Sequence, residues 1–202
     1  YYVTLVDCLA PHPGAPRPRP DGSGKLLKTE IDKPEEVAFV PRRYGRYGLA
    51  LSQFDAALAA TPKPDLVLVT SGMTYWYPGV IEAVQRVRDR FGAVPVVLGG
   101  VYASLCPDHA RRHSKADQVI TGPGLAAALR VADEVTGSNS RPDRYHDARV
   151  WPAPDHRMEA YPSEGRTFAA VATSRGCPYH CTYCASHQLQ PSFNRRDPAA
   201  VI

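Results

Sequence analysis

Three short apolar runs set the terms for this chain: residues 65–70 (DLVLVT), 95–98 (PVVL) and 117–120 (DQVI). Each is too short to be a helix. The first two are continuous rather than alternating, as expected of strands buried on both faces of a parallel sheet. Parallel neighbours need long crossovers, and the intervening segments supply them. Pro78 opens a helix that runs to Phe91, with Val80, Ile81, Val84 and Val87 on one side. A shorter helix is expected in the region 103–113, and another over 125–135 after the turn TGPG. Apolar residues at helical spacing over 49–60 and a further buried strand at 2–7 extend the pattern. The alternation implies right-handed βαβ crossovers and a doubly wound parallel sheet. Ligands bind such sheets outside the carboxyl ends of the strands, which here are Thr70 and Ser71, Gly99 and Gly100, and Thr121 and Gly122. All six are small enough to let a ligand approach the backbone. Glycine at these places equally suits a tight strand-to-helix turn.

Between these elements lie segments without periodicity. Residues 8–48 begin Pro- and Gly-rich and end in PRRYGRYG, a mixture found in nucleic-acid arms and, more often, in surface loops that pack one domain on another. Residues 137–165 form a polar, Pro-rich linker with one local hairpin, and 168–173 (FAAVAT) begin a new buried strand. Position 1 is Tyr and a helix has barely begun at Pro198, which suggests a piece of a longer enzyme. A hydrophobic fraction of 44% argues against wholesale disorder. The net charge of +4 is spread along the chain, so no nucleic-acid surface is suggested. No apolar run approaches the length that crosses a membrane, and no basic-then-apolar leader opens the chain. A cytoplasmic protein is the default expectation.

Of the five cysteines, three fall within eight residues, in the segment TSRGCPYHCTYCAS. In a reducing compartment such a cluster holds metal more often than it forms disulfides. Cys177, Cys181 and Cys184 follow the spacing C-x3-C-x2-C, which lets three thiolates converge on one iron–sulfur cluster from a single loop. Three protein ligands leave a coordination position open, as a metal centre that binds substrate directly requires. The competing reading is a zinc site that adds His180 or His187. Structural zinc sites usually pair two knuckles, and the sequence has no second one. Cys8 and Cys106 have no neighbouring cysteines and read as small buried apolar residues.

The segment TSRGCPYHCTYC resembles the cluster motif of radical S-adenosylmethionine (SAM) enzymes, C-x3-C-x-aromatic-C. The resemblance implies that Cys177, Cys181 and Cys184 hold a [4Fe–4S] cluster and that SAM chelates the fourth iron. An electron from the reduced cluster would then cleave the sulfonium to release a 5′-deoxyadenosyl radical. It places Tyr183 near the SAM adenine, implies an electron donor such as flavodoxin or ferredoxin, and makes residues 166–202 the first strand and cluster loop of a partial (β/α)6 barrel.

Upstream, PDLVLVTSGMTYWYPGV, VPVVLGGVYASLCPDHA and DQVITGPG resemble the cobalamin-binding-type domain that precedes this barrel in one radical SAM subgroup. That comparison implies a flavodoxin-like (Rossmann-type) domain over residues 1–136, lacking its first strand and helix, with 2–7 as its second strand. Residues 137–165 would be the linker. Thr70, Ser71, Gly99, Gly100, Thr121 and Gly122 would line a crevice for cobalamin. The chain departs from the pattern in two ways: it has no D-x-H-x-x-G motif, and G-P-G replaces the acidic turn of relatives. Cobalamin would then bind without a histidine ligand from that motif, or the domain would serve as a scaffold. His109 and His113, beside Arg111 and Arg112, read as a solvated helix face, and Tyr75–Trp76–Tyr77 as a pocket wall or a packed lid.

The reading that follows is a radical SAM enzyme, as a cobalamin-dependent methylase of an unactivated carbon or phosphorus. One alternative is a radical SAM enzyme of other chemistry, with a scaffold-only first domain. Another is a non-catalytic metal-binding module. The substrate, a small molecule or a peptide, is not written in these residues.

Overall fold

The computed structural model describes residues 1–9, 19, 26–152 and 171–200. Two units are distinguished, one drawn from Tyr1–Thr61 and the other from Pro62–Ala153 and Val171–Ile202.

In the first unit, β1 (Lys28–Glu30) pairs antiparallel with β2 (Gly45–Tyr47), and α1 (Leu51–Ala60) follows. The Gln53 side chain accepts the Ala50 N–H ahead of α1, and Phe54 and Leu58 are its buried residues. The expected strand at residues 2–7 is not formed. Among the described residues it makes no ladder, and Tyr2 is 93% exposed. An apolar run becomes a strand only where a neighbour takes its backbone hydrogen bonds.

The second unit is built on β3 (Val67–Ser71), β4 (Val96–Gly99) and β5 (Gln118–Val119), parallel and in the order β3-β4-β5. The connections are α2 (Tyr77–Phe91), then α3 (Gly100–Leu105) and α4 (Pro107–His113), with α5 (Leu125–Thr136) after β5. In α2 the missing Pro78 N–H costs nothing in the first turn, Val80, Val84 and Val87 face the core, and Gly92 closes the helix. The single helix expected over 103–113 is two, broken at Cys106. Pro107 disfavours helical backbone in the residue before it, and Cys106 adopts φ −129°, ψ 53°.

Core residues Val96, Val97 and Leu98 lie on β4, which is buried on both faces. β3 departs from the expectation of burial on both faces: it is an edge of the described sheet, and Leu68 is 56% exposed. Neighbouring strands follow in chain order, so the described residues contain no reversal of the kind that makes a sheet doubly wound. They also contain no barrel. The cysteine segment is instead flanked by a two-residue antiparallel ladder of β6 (Ser174–Arg175) and β7 (Asn194–Arg195). Residues 168–170 of the expected FAAVAT strand lie outside the described residues, and 171–173 are not strand.

Candidate functional site

Two groups of residues in the second unit are the candidates for a functional site. The first is the carboxyl edge of the sheet, where the parallel register sets Thr70 opposite Gly99 and Ser71 opposite Gly100. Ser71 is buried and its hydroxyl donates to the Met73 carbonyl at 2.8 Å. Ser104, a residue that sequence reasoning missed, ties the third strand end to the second. Its hydroxyl donates to the Gly100 carbonyl and accepts the Gly122 N–H, each at 2.8 Å. The only signal for it was a serine four residues after a glycine. Thr70, Ser71, Gly99, Gly100 and Gly122 therefore share one hydrogen-bonded edge, with Thr121 exposed beside Gly122.

The glycines there have different causes. Gly100 has φ +87°, and a Cβ would lie 2.5 Å from Thr70 Oγ1 and 2.6 Å from the Ser71 carbonyl oxygen. Close packing of two strand ends requires glycine at that point. Beside Gly122 a Cβ would meet nothing within 4 Å, and beside Gly99 only the Ile120 carbonyl oxygen at 3.9 Å. Those two leave room at the strand ends.

Next to this edge is an aromatic and imidazole cluster. Tyr102, 1% exposed, shares a 2.7 Å hydrogen bond with His109 Nδ1, and the Tyr77 and His109 rings meet edge to face at 4.9 Å. His109 is thus packed rather than part of a solvated face, while His113, its neighbour at 4.4 Å, is exposed. Burial lowers the His109 pKa, and His113 and Arg112 lower it further. Burial raises the Tyr102 pKa, with Cys106 and Tyr77 adding to the effect. Both directions favour a neutral Tyr–His pair. Tyr75 is exposed and turns edge-on to Trp76.

The second group is the cysteine loop. The β6–β7 ladder and the Arg196 N–H to Thr173 carbonyl bond close its neck. Gly176 follows β6 with φ +79°, and a Cβ there would lie 2.3 Å from the Ser192 carbonyl oxygen, so only glycine fits. Cys177 and Cys184 are half-buried and Cys181 is exposed. A turn from the Cys181 carbonyl to the Cys184 N–H leads into α6 (Ser186–Leu189), which packs against α3. Ser186 touches the Cys184 sulfur with its hydroxyl at 3.1 Å and its N–H at 3.5 Å. Both contacts lower the thiol pKa, the hydroxyl more. Thiolate character is what binding to iron or zinc needs.

All five cysteines are free thiols, and neither Cys8, which is exposed, nor Cys106, which is half-buried, is the buried apolar residue expected. Among the described residues no three Cys, His, Asp or Glu side chains already converge on a metal position. The donor set of the loop fits an iron–sulfur cluster by its chemistry: three unpaired thiols at short spacing on a loop closed at its neck. Tyr183 is 91% exposed on the same loop. The His180 and His187 rings lie 5.5 Å apart, and His187 Nδ1 is buried with no hydrogen-bond partner.

Fold and loop together define an α/β protein, Rossmann-like in its parallel sheet and helices, that carries a three-thiol loop after the sheet. No family model and no solved structure matches the chain. Among curated proteins it is 27% identical over 148 residues to an uncharacterized methyltransferase of Pyrococcus horikoshii, which covers 61% of this chain and 32% of that protein. It is 22% identical over 173 residues to the anaerobic magnesium-protoporphyrin IX monomethyl ester cyclase of Rubrivivax gelatinosus, covering 70% and 30%. The cyclase of the same name from Synechocystis is 25% identical over 160 residues, covering 67% and 32%. The chain thus spans about a third of the length of these relatives, all of which carry enzyme names. No helix among the described residues is long and apolar enough to cross a membrane.

Proposed function

We propose that this chain is part of a radical SAM enzyme in which Cys177, Cys181 and Cys184 hold a [4Fe–4S] cluster. The observation that carries the reading is the set of three free thiols at C-x3-C-x2-C spacing on one loop. The relatives named as a methyltransferase and as cyclases support it at low identity. In this reading residues 1–136 are a cobalamin-binding-type domain, 137–165 a linker, and 166–202 the start of the barrel.

Cys177, Cys181 and Cys184 would hold the cluster, which would supply one electron for cleavage of SAM to methionine and a 5′-deoxyadenosyl radical. The residues of this chain have simpler tasks. Three thiolates bind iron, and Ser186 lowers the proton affinity of one of them. Tyr183 offers an exposed ring that would pack near the SAM adenine. Gly176 holds the turn into Cys177. The sheet edge at Thr70, Ser71, Gly99, Gly100, Thr121 and Gly122 receives cobalamin, which makes the enzyme a methyltransferase. If that edge is only a scaffold, the enzyme performs other radical chemistry. An external one-electron donor such as flavodoxin or ferredoxin serves the cluster.

The test is anaerobic reconstitution of the full-length protein. It is expected to take up about four irons and four sulfides on this loop, and to cleave SAM once reduced. Cys177→Ala, Cys181→Ala and Cys184→Ala each abolish the iron–sulfur absorbance, while Cys8→Ala and Cys106→Ala leave it intact. Stoichiometric zinc, with no iron and no SAM cleavage, would show a non-catalytic metal-binding module instead.

A further inference from the structure

Of the linker at 137–165, where composition suggested one local hairpin, the structure describes residues 137–152, and these contain no strand. Residues Pro142–Tyr145 and Ala148–Val150 form two turns of 3-10 helix. The first is tied back to α5, where Arg130 Nη2 lies 3.2 Å from Asp143 Oδ1 and 2.6 Å from His146 Nε2. The path ends at Trp151. The indole N–H donates to the Tyr145 carbonyl at 2.7 Å, which fixes the ring relative to the anchored turn.

Two arginines from the neck of the cysteine loop meet on this one residue. The Arg175 guanidinium stacks over the indole ring with its carbon 4.4 Å from the ring centroid. Arg196 Nη2 donates to the Trp151 carbonyl at 3.0 Å. Arg175 is the last residue of β6, two positions before Cys177, and Arg196 is the first residue after β7. One linker residue therefore grips the loop on both sides of its neck. The ladder that would otherwise close that neck is only two residues long on each strand. Arg175 Nε is also buried with no hydrogen-bond partner, so the indole face is the described contact that compensates this desolvated cation.

We propose that Trp151 is a positioning residue for the cysteine loop. Its ring and carbonyl hold Arg175 and Arg196 together, keep the loop shut around its metal, and fix a positive charge two residues before Cys177 in the chain. The effect on the metal rests on the proposed [4Fe–4S] site, whereas the grip on the neck is a property of the chain alone. A cation held near an iron–sulfur cluster stabilises the electron-rich reduced form and raises its potential.

The experiment uses the full-length protein, as prepared without iron and after anaerobic reconstitution. Four variants are compared with wild type: Trp151→Ala, Trp151→Phe, Arg175→Gln and Arg175→Lys. Without iron, the readout is amide hydrogen exchange at residues 173–176 and 194–196. Loss of the cation stacked on the indole should speed exchange there about tenfold in Trp151→Ala and in Arg175→Gln. Trp151→Phe keeps the ring face and should stay within about threefold of wild type. With iron, the readouts are the rate of iron loss to a chelator and the cluster midpoint potential. Iron loss should quicken in Trp151→Ala. The midpoint should fall in Arg175→Gln, where the charge is gone, and fall less in Arg175→Lys, which keeps it.

Exchange at the neck that is unchanged in both Trp151→Ala and Arg175→Gln overturns the proposal. So does a midpoint that is the same in Arg175→Gln as in wild type. If Trp151→Ala fails to fold, Arg175→Gln and Trp151→Phe decide the question by the same measurements. A wild-type protein that takes up no iron, with exchange at the neck still faster in the variants, refutes the cluster reading and leaves the grip of Trp151 standing.

Discussion

Gly100 and Gly122 both have positive φ, and the Ser104 hydroxyl bridges them, yet they are glycine for different reasons. At Gly122 only the backbone conformation disfavours a side chain, because the space around it is open. At Gly100 the conformation and the two neighbouring strand residues both do. Gly122→Ala should therefore cost about 1–2 kcal/mol, the strain of one left-handed residue. Gly100→Ala should cost about 2–5 kcal/mol, since overpacking adds to that strain. Urea denaturation of the two variants checks the order, and a Gly100→Ala variant as stable as Gly122→Ala contradicts it. The sequence marked all three strand ends as small and could not separate these causes. The clash at Gly100 depends on the register of β3 against β4, which no local pattern encodes.

At the scale of elements, Asp117 joins three of them. Its Oδ2 accepts the Val96 N–H at 2.7 Å, its Oδ1 pairs with Arg88 Nη2 of α2 at 2.8 Å, and its own N–H donates to the Val96 carbonyl. Desolvation acts to raise the carboxyl pKa, and the Val96 N–H and the Arg88 guanidinium outweigh it, so the pKa is lowered overall. A depressed carboxylate pKa adds stability that is complete above the pKa of the unfolded chain and is lost as pH falls through the folded value. The urea midpoint should thus decline as pH drops below about 4. Asp117→Asn should lower the midpoint at pH 7 and flatten that acid decline. A variant with the wild-type slope between pH 5 and 2 would exclude Asp117 as a source.

The element pattern itself was largely legible. Periodicity in α2 and α5 and the Val-rich run of β4 announced themselves, because a single local rule governs each. The helix expected over 103–113 ran through Pro107, and the break at Cys106 is the consequence of that proline. The run at residues 2–7 looked like a strand because its composition is that of one, but strand formation depends on a partner elsewhere in the chain.

For the molecule as a whole, the cysteine spacing marked one candidate site from eight residues, and the strand ends marked the other only as a list of small residues. What joins the sites was not legible. Packing of α6 on α3 and the reach of Trp151 to the loop neck are contacts across long stretches of chain. The strand-end edge also bears the last prediction, that cobalamin binds there without a protein histidine on cobalt. Gly99 and Gly122 leave space at the edge, and the exposed Thr70 and Thr121 supply hydroxyls for the corrin amides. No histidine stands in a D-x-H-x-x-G context, and His109 already engages Tyr102 through Nδ1. The full-length protein should retain cobalamin, and its cob(II)alamin spectrum should lack nitrogen hyperfine splitting from an axial ligand. Thr70→Val and Gly99→Val should weaken retention, the first by removing a hydroxyl and the second by filling the open edge. A strong nitrogen splitting that vanishes in His109→Ala would show histidine ligation and defeat this account. A protein that keeps its iron and cleaves SAM but never retains cobalamin would make the sheet a scaffold, leaving the three-thiol loop as the seat of the chemistry.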